Sequence, residues 1–201
     1  YRNFVPEGHR RDDAKPTFDD IPESLKTAVK CFIITCAIRI ARGQEKKHNS
    51  MLIHLSRFQS WQNEIKELVD ELFQFYKHEI EANDAQMYES LRAIFEIDSA
   101  TYTSYVTTTN SILSSSLSNI DNNIKIHKWE EIKPLINKAV QKIVVKSING
   151  SSGDVIDYQQ NEKIGISVIA IGGDKLSRGL TLEGLSISYF LRASKMYDTL
   201  M

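Results

Sequence analysis

The sequence predicts an α/β fold in which a mostly parallel sheet is flanked by helices and carries an all-helical insertion. Short apolar runs typical of buried strands occur at about residues 51–56, 143–147, 166–171 and 185–190. Helical periodicity separates the first run from the second, as the crossover connections of parallel strands require. The block from about 60 to 125 is too long for one crossover helix, so we interpret it as the insertion.

The elements ahead of the insertion begin with an arm. Residues 1–20 combine prolines, a glycine and two Asp pairs with little periodicity, which predicts a linker or an extended arm. A helix begins near Pro22 and ends at Gly43, and its nearly continuous apolar surface indicates that it is buried.

Three helices make up the predicted insertion. The first is amphipathic from Trp61 to about residue 82, with glutamates opposite its apolar face. Asp84 caps the second helix, and the third runs from Tyr102 to Ile120 through a serine tract. A further helix leads back to the sheet and tolerates Pro134 only in its first turn or two.

Composition limits the class of the protein and of its ligand. The 201 residues are 41% hydrophobic and 25% charged, which excludes collagen-like, wholly disordered and disulfide-scaffold proteins. The net charge of -1 gives no global basic field, so nucleic-acid binding would need a local patch. Residues 51–100 are acidic, which is typical of a solvated helical face.

The two cysteines, Cys31 and Cys36, lack the spacing of zinc ligands, so we expect reduced thiols. No segment is long enough to span a membrane, and we expect a cytoplasmic location.

The clearest candidate site lies in the segment 168–185. A buried strand ends there in two glycines, and polar residues follow at the carboxyl edge of the sheet, where open α/β sheets bind ligands. Glycines would let the main chain approach a phosphate, and charged side chains and hydroxyls would bind it. The segment matches neither the P-loop nor G-x-G-x-x-G, and a tight structural turn is the alternative. The candidate residues are Gly172, Gly173, Asp174, Lys175, Ser177, Arg178, Gly179, Thr181 and Glu183, with Gly184 as a further glycine.

The same segment, GGDKLSRGLTLEGLSISYFLRASKMYDTL, resembles the signature of the Z1 domain. The stretches SLKTAVKCFIITCAIRIARG and NSMLIHLSRFQSWQNEI resemble the opening helix and strand of that family, so the resemblance covers most of residues 20–201. The family is associated with superfamily-two helicase-like ATPases in bacterial phage-defence proteins that are regarded as endonucleases. The resemblance therefore implies a longer parent protein that processes nucleic acid in an NTP-dependent reaction.

The segment is also similar to a motif of the second RecA-like helicase domain, T-D-x-x-x-R-G-x-D. Gly173 stands at the Thr, Asp174 at the first Asp, and Arg178 and Gly179 at the Arg-Gly pair. Thr181 stands where the last Asp would be, so the carboxylate of the helicase motif is replaced.

The run from Met51 to Phe58 corresponds to the first strand of that RecA-like domain, which places Ser56 and Arg57 near a loop that contacts the nucleic-acid backbone. The Walker motifs and the arginine-finger motif Q-x-x-G-R are missing. The resemblance thus implies half of an NTP cleft: ATP with Mg bound in the parent protein, and none bound by this chain alone, which is expected to be inactive. The expected partners are the first RecA-like domain of the same protein and nucleic acid, foremost DNA, and not a membrane.

The sequence begins at Tyr1 and stops at Met201 within what looks like an opening helix, so we expect a fragment of a longer protein. The predicted domains are an arm at 1–20, a RecA-like domain at 21–59 and 126–201, and a helical insertion at 60–125.

Two other functions are weighed against this one. The chain could be a non-catalytic interaction module whose acidic helices at 60–98 dock a partner protein. A nuclease site would use Asp154, Asp157, Glu162 and Lys163, but residues 162 and 163 are adjacent and would face opposite sides of a strand.

We expect no protein metal site. His54, on the first strand, lacks a second histidine at metal spacing and fits a packed core position better.

Overall fold

The computed structural model describes residues 4–6, 8–54, 58–96, 104–119, 124–148, 156, 158–173 and 181–190. Within these residues the chain forms five α-helices and four β-strands, and a short 3-10 helix at Phe18–Asp20 precedes them. The helices are α1 (Glu23–Ala41), α2 (Gln59–Glu81), α3 (Ala85–Glu96), α4 (Tyr105–Leu113) and α5 (Trp129–Val140). The strands are β1 (Asn49–His54), β2 (Ile143–Ile148), β3 (Ser167–Gly172) and β4 (Leu185–Phe190).

The four strands form one parallel sheet in the order β2-β3-β1-β4. Strands β2, β3 and β4 lie within one residue of the apolar runs that predicted them. Strand β1 begins two residues ahead of its predicted range of about 51–56, and residues 55 and 56 of that range lie outside the described residues. The central strands β1 and β3 are almost wholly buried, as expected for parallel strands that are covered on both faces. The predicted α/β fold class, with a parallel sheet flanked by helices, is therefore confirmed.

The described residues fall into two compact units. The first unit takes those within 1–32, 46–75 and 142–201, and the second takes those within 33–45 and 76–141. All four strands belong to the first unit. The division into a RecA-like domain and an insertion with the bounds given above stays a prediction.

The first turns of α1 and α2, which belong to the first unit, contact one face of the sheet. The Ser24 hydroxyl in α1 hydrogen-bonds the Tyr189 hydroxyl in β4 at 2.6 Å, and the Ser147 hydroxyl in β2 donates to the Asn63 amide oxygen in α2 at 3.3 Å. Ser147 and Tyr189 occupy the same row of the sheet, with Ile171 and Ile53 between them, so their side chains share a face.

The opposite face carries a second apolar cluster. Val168 and Ala170 of β3 and Ile148 of β2 pack there with Ile156 and Tyr158 from the connection between those strands. Ile166 and Leu182 are partly buried against the same cluster. Described residues of the connections before and after β3 thus pack on this face, beside the strand that leads to the candidate site.

The second unit is helical in the part that the structure describes. Phe95 of α3 lies 5.8 Å from Trp129 of α5 and 6.4 Å from Tyr105 of α4, measured between ring centroids. The Asp84 carboxylate accepts a hydrogen bond from the Met87 amide at 2.7 Å, which confirms the predicted cap of α3. No helix within the described ranges has both the length and the apolarity needed to cross a membrane.

The third helix of the predicted insertion is shorter than its apolar spacing indicates. It was expected from Tyr102 to Ile120, but α4 begins after its N-cap Ser104 and ends at Leu113. The Ser115 hydroxyl donates to the Ile112 carbonyl at 2.7 Å and accepts from the Leu117 amide at 3.1 Å. Serine hydroxyls compete in this way with helical hydrogen bonds, so the serine tract ends the helix.

Candidate phosphate-binding edge of the sheet

The carboxyl ends of the four strands meet in one row. Gly172, the last residue of β3, pairs with His54 of β1 and with Ile148 of β2, and His54 pairs with Phe190 of β4. All four strands therefore end on the same side of the sheet. We call this side the carboxyl edge, defined by Ile148, Gly172, His54 and Phe190.

Two predicted site residues lie at the carboxyl edge, and both are buried. Gly172 ends β3 in the centre of the row, and Gly173 follows it directly. His54 beside them is 5% exposed, and its ring centroid lies 5.3 Å from that of Phe190. This burial agrees with the interpretation of His54 as a packed core histidine.

Seven predicted site residues fall outside the described residues. They are Ser56, Arg57, Asp174, Lys175, Ser177, Arg178 and Gly179. Their contribution to a site stays a prediction.

The structure does not bring Glu183 together with Gly172 and Gly173. The Glu183 carbonyl accepts a hydrogen bond from the Ser50 hydroxyl at 2.7 Å, and Ser50 is the second residue of β1. Glu183 therefore lies at the opposite side of the sheet, which we call the amino edge. Six-residue strands separate the two edges by about 16–20 Å. Thr181 is exposed and lies two residues before Glu183 in the chain.

The amino edge contains a connected polar network. The hydroxyl of Ser50, which is fully buried, also hydrogen-bonds the Tyr158 hydroxyl at 2.9 Å. Burial raises the pKa of Tyr158, and the hydrogen bond with Ser50 opposes that rise in part. The Ile166 amide donates to His48 Nδ1 at 3.3 Å, and His48 Nε2 faces the Glu183 carboxylate at 3.8 Å. This network joins the starts of β1 and β4 to the segment that leads into β3.

Two glycines at the amino edge approach the main chain that leads into β1. Gly184 has a φ of 64°, and a Cβ built on it would overlap the His48 carbonyl oxygen. Gly165 has a φ of 69°, and a Cβ there would lie 2.7 Å from the carbonyl carbon of Lys46. The sequence predicts that Gly184 lets the main chain approach a phosphate. In the structure, the main chain at Gly184 instead approaches the backbone at His48.

The residues of the alternative nuclease pattern are only partly described. Glu162 and Lys163 are exposed and lie in turns ahead of β3, whereas Asp154 and Asp157 lie outside the described residues. Across the described ranges, His, Cys, Asp and Glu residues form no group of three that could hold a metal ion.

Sequence reasoning missed the Ser50–Tyr158 pair. The two residues are 108 positions apart, and no motif or periodicity connects them. A buried serine within an apolar strand was the one available signal, because a buried hydroxyl needs a hydrogen-bond partner.

The family model of the Z1 domain matches residues 24–201, so the chain belongs to the Z1 domain family. No curated protein and no solved structure matches the chain.

Proposed function

We propose that this member of the Z1 domain family supplies one side of an NTP cleft and a set of phosphate-backbone contacts to a bacterial NTP-dependent nucleic-acid-processing protein. The parent would be a helicase-like ATPase associated with an endonuclease, and phage defence is its expected setting. The proposal assigns phosphate binding to the carboxyl edge. It rests on the resemblance of residues 172–200 to the Z1 signature, and of the part that begins at Gly173 to a motif of the second RecA-like helicase domain.

One observation carries the proposal: the end of β3 lies in the middle of the carboxyl edge. β3 has neighbours on both sides, so the segment that begins at Gly173 starts from the interior of the sheet. Parallel sheets bind their ligands at this edge because the segments after several strands converge there. Segment 173–182, with most of the predicted phosphate-binding side chains, thus begins where the fold favours a ligand site.

Phosphate binding would fall to the residues that follow the two glycines. Because Gly172 and Gly173 are buried, the side chains of Lys175, Ser177 and Arg178 are the groups assigned to the phosphate oxygens. A guanidinium can donate two parallel hydrogen bonds to one phosphate, and a lysine supplies a compact charge. ATP with Mg would bind between this side and the first RecA-like domain, which supplies the Walker motifs.

The proposal is tested by nucleic-acid binding of the Arg178→Ala variant. We expect the chain to bind a fluorescein-labelled single-stranded DNA in fluorescence anisotropy, and the variant to bind it more weakly. Lys46→Ala is the matched control, because Lys46 is an exposed cation at the amino edge. The free energy of unfolding of the Arg178→Ala variant should stay within about 1 kcal/mol of that of the unsubstituted chain, as expected for the loss of a surface charge. Equal affinity of Arg178→Ala and the parent, or an equal loss in the control, would contradict the proposal.

A further inference from the structure

We propose that the N-terminal arm, which the structure describes at residues 4–6 and 8–20, is a fixed part of the first unit and presents Arg10 and Arg11 at the carboxyl edge as an additional contact for nucleic-acid phosphates. This inference rests on the proposed function and extends its site to a part of the chain that the Z1 match, residues 24–201, does not include.

The arm is anchored on Trp61, whose side chain is fully buried. The indole Nε1–H of Trp61 donates a hydrogen bond to the Arg10 carbonyl at 2.9 Å. The Lys15 ammonium lies 4.7 Å from the centre of the same ring system, within the range of a cation–π interaction. The His9 ring packs at 4.5 Å from Trp61 and at 5.6 Å from Phe58. One indole therefore holds three positions of the arm.

Hydrogen bonds within the arm fix its turn. The Arg10 amide donates to the Asp13 carboxylate at 2.7 Å. The Lys15 ammonium donates to the carbonyls of Arg11 at 2.7 Å and of Asp13 at 2.8 Å. Lys15 and Asp13 are thus occupied in holding the turn, so Arg10 and Arg11 are the cations that remain for a ligand.

The anchor lies at the carboxyl edge. Trp61 is in the first turn of α2, which begins five residues after His54, the last residue of β1. One half-turn further along α2, Asn63 accepts the hydrogen bond from Ser147, the next-to-last residue of β2. Because this contact ties the start of α2 to the carboxyl end of the sheet, the arm that packs on Trp61 lies beside that end as well.

The two arginine side chains are available to an anion. Arg10 and Arg11 are both exposed, and in the part of the chain that the structure describes neither guanidinium forms an ion pair. The main-chain carbonyls of both residues are bound by Trp61 and by Lys15, so the backbone under the side chains is held in place. Two adjacent guanidinium groups on a fixed support suit successive phosphates of a nucleic-acid strand.

The inference is tested by the salt dependence of DNA binding. The variant Arg10→Gln/Arg11→Gln is compared with Lys46→Gln/Lys47→Gln, an adjacent pair of exposed cations at the amino edge. The dissociation constant for a fluorescein-labelled single-stranded DNA is measured over a series of NaCl concentrations. Loss of two phosphate contacts should reduce the slope of log affinity against log salt by about 1.4 and weaken binding. The control pair should leave the slope unchanged.

Further outcomes separate this inference from the proposed function. If the arm variant and the parent show the same slope, the arm inference is overturned, and Arg178→Ala in the same assay still decides the proposed function. If the arm variant loses affinity and Arg178→Ala does not, the arm inference stands and the assignment of Arg178 falls. If the unsubstituted chain binds no DNA, both the arm inference and the proposed function are overturned.

A second variant, Asp12→Asn, removes an exposed carboxylate next to Arg11. It should strengthen DNA binding, and weaker binding would contradict the arm inference.

Discussion

Gly184 lies so close to the His48 carbonyl oxygen that a side chain cannot fit between them. The contact joins the turn ahead of β4 to the residue that precedes β1, so it holds the amino ends of two neighbouring strands together. The amino edge of the sheet is therefore stabilised by this close backbone contact and by the hydrogen bonds of the Ser50 hydroxyl with Tyr158 and Glu183.

Gly184→Ala should destabilise the protein severely. A residue with a Cβ costs about 1–2 kcal/mol at a positive φ, and the overlap with the backbone at His48 should add about 1–3 kcal/mol. Gly43→Ala is the matched control, because Gly43 has a φ of 72° and nothing within 4 Å of a Cβ built on it. Urea unfolding should show a clearly larger loss for Gly184→Ala, whereas equal losses would mean that the contact at His48 is unimportant.

The hydroxyls of Ser50 and Tyr158 should be energetically coupled. Ser50→Ala leaves the Tyr158 hydroxyl and the Glu183 carbonyl without this partner, which should cost about 1–3 kcal/mol. A double-mutant cycle with Tyr158→Phe should give a coupling free energy of about 1 kcal/mol between two residues in direct contact.

The control for this cycle is Ser60→Ala. Ser60 is exposed and its hydroxyl makes only a 3.3 Å hydrogen bond to the Arg11 carbonyl, so its loss should change stability by about 0.5 kcal/mol or less. Strict additivity of Ser50→Ala and Tyr158→Phe would show that the buried hydroxyls do not act as a pair.

His127 should make the stability of the protein sensitive to mild acid. Burial lowers the pKa of His127, the positive charges of Arg42 and Lys125 lower it further, and the Glu131 carboxylate at 3.6 Å opposes this only in part. The unfolded chain therefore binds the proton more readily than the folded chain. The stability that the neutral ring contributes is complete above the unfolded pKa of about 6.5 and is lost as the pH falls through the lowered folded value.

The His127→Gln variant removes this titration. Its free energy of unfolding, measured by urea between pH 7.5 and about pH 5, should fall less steeply with acid than that of the parent. His78→Gln is the control, because His78 is exposed on α2. An unchanged pH profile in His127→Gln would contradict the assignment of the acid sensitivity to this ring.

The sequence predicted the four strands because short apolar runs bounded by turn residues are typical of buried strands. The pair Gly172 and Gly173 is such a boundary, so it also predicted where β3 ends. It does not separate Glu183 from Gly172, because residues close together in a motif are expected to lie close together in space. Parallel pairing sends the chain back across the sheet after β3, so residues just before Leu185 reach the amino edge.

Other features depend on contacts that no local pattern records. The end of α4 at Leu113 follows from hydroxyl-to-backbone hydrogen bonds that compete with an unbroken apolar spacing. The anchoring of the arm on Trp61 joins residues about 50 positions apart through a single indole N–H, and composition alone gave only a linker or an extended arm.

Phosphate binding at the carboxyl edge is tested most directly by titration of isotope-labelled protein with single-stranded DNA, followed through backbone amide chemical shifts. We expect the amide signals of Gly172, Gly173 and Arg11 to shift with a common dissociation constant, while those of Gly165 and Gly184 at the amino edge do not shift. Shifts confined to the amino edge or to the acidic face of α2, or no shifts at all, would contradict the assignment of phosphate binding to the carboxyl edge.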